Sequence, residues 1–223
     1  MITPKIIERT NRRTLSLMID EKGDLIVKAP NKMSLDEIFA FINKKQKWIE
    51  ERQSKIKTIL AKNYELINYQ KMLLLGKHYT ICMTKSIDKP YLTQVAIILN
   101  PTKSLANMKS HLNQFYYDAC DDIIVPRVEK LASKFNFSYK SISIISSKAK
   151  WGMCDNKKNL FFNFKLLMLP PDLIDYVIIH ELCHTRELNH SKNFWKLVER
   201  YLPNYKECQT LIKNSGFLIK LYC

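Results

Sequence analysis

Two histidines four residues apart, entered from an unbroken apolar run, constrain this chain more than any other feature. The run Tyr176-Val177-Ile178-Ile179 leads into His180-Glu181-Leu182-Cys183-His184, and Pro170-Pro171-Asp172 stands just upstream. Proline is tolerated in the first turn of a helix, where its missing N–H costs no bond. A helix is therefore predicted to open at Pro171. Histidines at i and i+4 lie on one helical face, about one turn apart. Both imidazoles can then reach one ion at about 2.0–2.1 Å. Glu181 stands beside the first of them, where its carboxylate can take a proton from a water that such an ion has made acidic. By residue frequencies alone, the pattern arises by coincidence in on the order of one chain in a few hundred. Three of the five histidines fall between positions 180 and 190, which favours chemistry over coincidence.

His190 is the third candidate ligand. In an unbroken helix it would lie about 9 Å beyond His184 and point roughly 120° away, too far to share an ion. The chain is therefore expected to leave the helix between Glu187 and Asn189 and to fold His190 back. Asn189 suits that turn, because asparagine tolerates the left-handed conformation that ends helices. In the competing reading His190 only caps the helix, and Glu199 completes the site. Glu199 is more simply a solvated residue of the following helix, Phe194-Trp195-Lys196-Leu197-Val198. Cys183 points off the two-histidine face and reads as a buried structural thiol. Cys154 reads as a loop thiol, His78 and His111 as isolated residues, and Trp48, Trp151 and Trp195 as packing residues.

The rest of the chain sets a frame around this motif. Its 223 residues are 46% hydrophobic and 26% charged, enough for a real core. A formal charge of +15 makes non-specific contact with nucleic acid the partner class to test, although no single basic block stands out. The six cysteines lack CxxC spacing, and no apolar run approaches a membrane span or a signal core. A reduced cytoplasmic monomer away from membranes is the expectation.

Along the chain, Leu15, Leu17 and Ile19 alternate as in a half-buried strand. Glu21-Lys22-Gly23-Asp24 is a turn, and Leu25-Ile26-Val27 returns. Ser34-Leu35-Asp36-Glu37 is a capping box, and Ile38, Ile42 and Ile49 give its helix an apolar face. Leu73 to Met83 reads as a hairpin around Gly76-Lys77, and Val95 to Leu99 as one more strand. After Pro101-Thr102-Lys103-Ser104 a long helix is predicted through Met108, Leu112, Phe115, Ala119, Ile123, Val128 and Leu131, kinked or broken at Pro126. Ser141 to Ile145 and Leu160 to Phe164 are read as antiparallel partners across the turn Asp155-Asn156-Lys157-Lys158-Asn159.

Taken together, the run Tyr176 to His184, then Asn189-His190-Ser191, Phe194-Trp195 and Leu202-Pro203-Asn204-Tyr205, resembles the YgjP-like metallopeptidases, relatives of the SprT-like and WLM zinc peptidases. Lys148-Ala149-Lys150-Trp151-Gly152-Met153-Cys154 is similar to that family's Arg-Trp-Gly-Ser-Cys segment, with Lys150 in place of arginine and Met153 in place of serine. A lysine cannot make arginine's planar two-pronged contact. The resemblance implies an α+β fold: a zincin-like C-terminal core with an active-site helix (103–223), behind a small β-containing N-terminal region with a helical insert (1–102). It also implies one zinc ion per chain on His180, His184 and His190, Glu181 as general base, and a peptide or protein substrate. The same zinc chemistry serves nucleotide phosphoanhydrides, and a nucleic-acid-associated protein with structural zinc is the third reading. The intact Glu181 argues against the last, since a structural site has no need of a base.

Overall fold

Leu25, Val27 and Ala29 are buried and alternate with half-buried neighbours along one strand, the period-two pattern of a sheet with one face in the core. This strand, β3 (Leu25–Pro30), is the centre of a three-stranded sheet in a computed structural model that describes residues 2–62, 70–85, 87, 89–101 and 104–220. The chain divides into two units, Met1–Ile67 and Asn68–Cys223. In the first, β3 pairs antiparallel with β2 (Ser16–Ile19) and parallel with β1 (Ile6–Thr10). The sequence reading did not identify β1. The turn between β2 and β3 is set by the Asp20 carboxylate, which accepts from the Lys22 and Asp24 amides, and by Gly23 at φ +88°.

The capping box forms as expected. Ser34 and Glu37 exchange bonds at the start of α1 (Leu35–Lys44). The helix is interrupted at Lys45, and α2 (Gln46–Lys62) carries on. Ile38, Ile42 and Ile49 are all buried under the sheet in one apolar cluster. Trp48, expected to pack, is instead exposed, because Ile49 takes the inward position next to it.

The second unit is built on two further sheets and a long helix. Strands β4 (Lys71–Leu74), β5 (Lys77–Met83), β6 (Tyr91–Leu92) and β7 (Ala96–Leu99) form a sheet of order β4-β5-β7-β6. This sheet, grouped with the N-terminal region in the sequence reading, lies in the second unit. The β4–β5 turn is Leu75-Gly76, both with positive φ, the conformation of a two-residue hairpin loop. The tip presses on the entrance to the motif helix: the Leu75 amide donates to the Leu167 carbonyl at 2.6 Å. A Cβ at Gly76 would meet Pro170 Cγ at 2.9 Å.

Helix α3 (Leu105–Lys134) runs unbroken through Pro126, which is exposed, so its missing N–H falls on the solvent side. Its buried stripe is Leu112, Tyr116, Cys120, Ile124, Val128 and Leu131. Phe115, Ala119 and Ile123 flank that stripe half-buried, one residue off the predicted register. The third sheet corrects the predicted pairing. Strand β10 (Asn159–Asn163) is parallel, not antiparallel, to β8 (Ser141–Ile145). Its antiparallel partner is β9 (Gly152–Cys154), because the Asp155–Asn159 turn joins β9 directly to β10. A buried 3-10 helix (Phe164–Met168) connects β10 to the motif helix α4 (Pro171–His184). Helices α5 (Lys192–Tyr201) and α6 (Tyr205–Asn214) and a last 3-10 turn (Ser215–Lys220) follow. The architecture is α+β, as expected, and the motif helix lies against the small third sheet.

Candidate metal centre

Helix α4 opens at Pro171, as predicted, and is buried on nearly every side. Leu173, Ile174, Val177, Ile178, Ile179, Leu182 and Cys183 all lie in the core. The motif is thus held by packing, and its histidines emerge where the helix ends. The helix stops at His184, earlier than expected. Thr185 is the C-cap, with its hydroxyl bonded to the Leu182 carbonyl at 2.7 Å, and the Arg186 and Glu187 amides both close on the Cys183 carbonyl. Among the described residues the non-glycine positive-φ positions are Leu75, Asn136 and Lys158. Asn189 therefore does not take the left-handed turn expected of it. An ordinary right-handed Thr185 ends the helix soon enough that no sharp reversal is needed, and the Asn189 side chain accepts from the Ser191 amide instead.

The result brings the three predicted histidines together. His180 Nε2 lies 3.3 Å from His184 Nε2 and 3.0 Å from His190 Nε2. A four-coordinate ion with bonds of about 2.0–2.1 Å holds its ligands roughly 3.3 Å apart, so three imidazole nitrogens at this spacing fit one metal ion. Among the described residues these three form the group whose ligand atoms converge, all within 4.8 Å. His184 Nδ1 is 3.0 Å from the Glu187 carbonyl; donating there places the proton on Nδ1 and leaves the Nε2 lone pair on the shared face. Burial, then the neighbouring rings, push His180 down to about 3, which keeps its ring neutral as a ligand must be. His190 is exposed, so the centre opens to solvent on that side.

Aromatic residues fix the rings. Phe194 stacks on His184 with centroids 4.4 Å apart and meets both other histidines edge-on. Trp195 stacks on His190, and Tyr205 stacks on Trp195. The expected packing role of Trp195 is thus packing against a candidate ligand.

Glu181 is buried beside β9. Its carboxyl is pushed up to about 8 by burial, against the charge of Lys150 and a hydrogen bond from the Cys154 backbone. The sequence reading gave no role to two residues that build this contact. Gly152 leaves the space that Glu181 fills, since a Cβ there would lie 2.7 Å from Glu181 Cγ. Asn163, fully buried, donates to the Ser147 and Lys150 carbonyls at 2.9 and 2.8 Å and so holds the loop that leads into β9. A buried asparagine at a strand end is the one signal that could have marked it.

The other candidates lie apart from the histidine cluster. Glu199, His78 and His111 are exposed. Cys183 is buried and pushed up to about 12, and Cys154 to about 11, both chiefly by burial. Lys150 is exposed at the mouth of β9.

With this geometry in view, comparison with known families is decisive. A model of the YgjP-like metallopeptidase domain matches residues 13–215. The chain belongs to the YgjP-like metallopeptidase family. A comparison with curated proteins finds no match. Among solved structures, the metallopeptidase zymogen abylysin of Pyrococcus abyssi is 21% identical, over 42% of this chain and 94% of that one, with a TM-score of 0.39. The zymogen jannalysin of Methanocaldococcus jannaschii is 23% identical, over 40% and 93%, with a TM-score of 0.36. Membership in a metallopeptidase family implies a metal, and the three-histidine cluster is where the described residues offer one a place. No helix among the described residues is long and apolar enough to cross a membrane.

Proposed function

We propose that this chain is a zinc-dependent peptidase in which His180, His184 and His190 hold the ion and Glu181 is the general base. The observation that carries this reading is the convergence of three imidazole nitrogens beside a buried, solvent-shielded carboxylate. Three nitrogen ligands of this softness suit zinc. When bound, zinc would supply Lewis-acid polarisation of a peptide carbonyl and would acidify water. Burial alone raises this carboxyl to about 8, and the positive charge of a bound ion beside it would favour its ionised form. As a carboxylate, Glu181 takes the proton of the attacking water and returns it to the departing amine. Gly152 and the Cys154 amide hold that carboxylate in place. His184 keeps its ring fixed through the Glu187 carbonyl, and exposed His190 leaves the substrate a way in.

The test is Glu181→Gln, which keeps shape and loses basicity. Turnover of an unfolded protein substrate should fall by about 10²–10⁴-fold, with zinc content by mass spectrometry nearly unchanged. Full activity in the variant would remove Glu181 from the mechanism. Nucleoside triphosphates and DNA are incubated in parallel, and cleavage of a triphosphate alone would replace the peptidase reading.

A further inference from the structure

A cavity of about 340 Å³ opens between the turn that ends α4 and the outer face of α5, lined by Arg186, Glu187, Asn193, Lys196, Leu197 and Arg200. The last four follow i, i+3, i+4, i+7 and so share one helical face. Arg186 is a fixed cation. Its guanidinium donates to the Asn136 carbonyl at 2.5 Å and to the Tyr201 hydroxyl at 2.9 Å, and lies 4.2 Å from the Phe137 ring centre. None of these partners neutralises it. Lys196 and Arg200 are exposed, and among the described residues neither makes an ion pair. One carboxylate, Glu187, faces three cations, so the cavity holds a positive surplus beside an apolar wall, Leu197.

The cavity adjoins the metal centre through shared elements. The Glu187 carbonyl holds His184, and α5 brings Phe194 onto the same ring. Arg200 lies six residues beyond Phe194, about 9 Å along the helix axis and roughly 120° round it, so at least about three residues of extended peptide, at roughly 3.3 Å each, would be needed to span the two.

We propose that this cavity is a carboxylate-recognising subsite that gives the enzyme a preference for peptides with an acidic group a few residues from the scissile bond. The inference rests on the peptidase reading. A peptide carboxylate fits better than a nucleic-acid backbone. The volume suits one or two side chains, the Leu197 wall favours a partly apolar occupant, and Glu187 and Glu199 interrupt the continuous positive stripe that a polyanion needs.

The test uses zinc-loaded Glu181→Gln protein, which binds without cleaving, and fluorescent peptides read by anisotropy. One peptide carries Glu with an amidated C-terminus, one carries Gln with a free C-terminus, and one carries Gln and is amidated. The first two distinguish a side-chain carboxylate from a terminal one. Adding Lys196→Gln and Arg200→Gln should weaken the carboxylate peptides at least about tenfold, the size of one charge-assisted bond, and leave the amidated Gln peptide unchanged. Lys213→Gln, an exposed cation on α6, should change neither. Equal affinity for all three peptides, or an equal loss for all, overturns the subsite. So does a single-stranded oligonucleotide whose binding alone depends on Lys196 and Arg200. The wild-type enzyme separates the two claims. Equal cleavage of acidic and neutral peptides sinks the subsite and keeps the peptidase. Cleavage of no peptide, with carboxylate-selective binding intact, sinks the peptidase and keeps a carboxylate site.

Discussion

A methyl group added at Gly152 would lie 2.7 Å from Glu181 Cγ and 2.9 Å from its Oε1. Glu181 is buried, so its side chain does not lie free in solvent. Gly152→Ala should therefore displace the carboxylate and lower turnover by about 10²-fold or more, the scale of a lost general base, while zinc content stays near wild type. Retained turnover would show that the close approach is unimportant. The three histidines make a second residue-level prediction. His190→Ala should weaken zinc by more than the roughly 10–100-fold typical of an outer-shell partner, and Glu199→Ala should leave it unchanged. Competition with a chromophoric chelator reads both, and a large loss only in the Glu199 variant would overturn the assignment. The pair His180 and His184 was legible because helical spacing is local and its consequences are fixed by geometry. Gly152 and Asn163 were not, because each acts on a group far along the chain, and no local pattern records what a glycine leaves room for.

Among the elements, the β9–β10 hairpin positions Glu181, and its turn depends on one carboxylate. Asp155 accepts from the Asn159 side chain and from the Lys157 and Asn159 amides. These bonds, the Asn159 side chain first, hold its carboxyl below its ordinary value of 3.8. A lowered folded value means that the unfolded chain binds the proton more readily. The stabilisation is present above about pH 3.8 and lost as pH falls through the lowered value. The Tm advantage of wild type over Asp155→Asn should be flat from pH 7 to about 4 and shrink below it. An advantage that grows on acidification contradicts this sign. The hairpin also shows where sequence reasoning stops. The turn residues were recognised, but two strands could precede that turn, and only the short β9, three residues long, is joined to it directly. Periodicity identifies strands, not partners. The shifted stripe of α3 has a similar cause: Cys120 and Ile124 are as apolar as Ala119 and Ile123, and Tyr116 turns inward because its hydroxyl finds the Leu73 carbonyl.

At the scale of the whole molecule, the first unit has its own buried cluster of Leu25, Val27, Ala29, Ile38, Ile42 and Ile49. Every residue of the candidate centre lies in the second unit. A fragment of residues 68–223 should fold and bind zinc with the affinity of the full chain, checked by circular dichroism and the same chelator competition. Loss of zinc from a folded fragment would make the first unit part of the site. The broad α+β plan could be read in advance, since strands, turns and capping boxes are local. The division after Ile67 was not, because the sheet that precedes Pro101 is bound to the second unit by the Leu75–Leu167 hydrogen bond and by the fit of Gly76 against Pro170. The His184 ring meanwhile gives the proposed centre one ligand that is set in advance. With its one proton committed to the Glu187 carbonyl, it waits in the correct tautomer. His190 faces solvent, and His180 is half-buried, with a buried Nδ1 that has no hydrogen-bond partner among the described residues. The most buried of the three rings is thus the one whose proton is already placed, so an ion that entered from the His190 side would find its least accessible ligand ready.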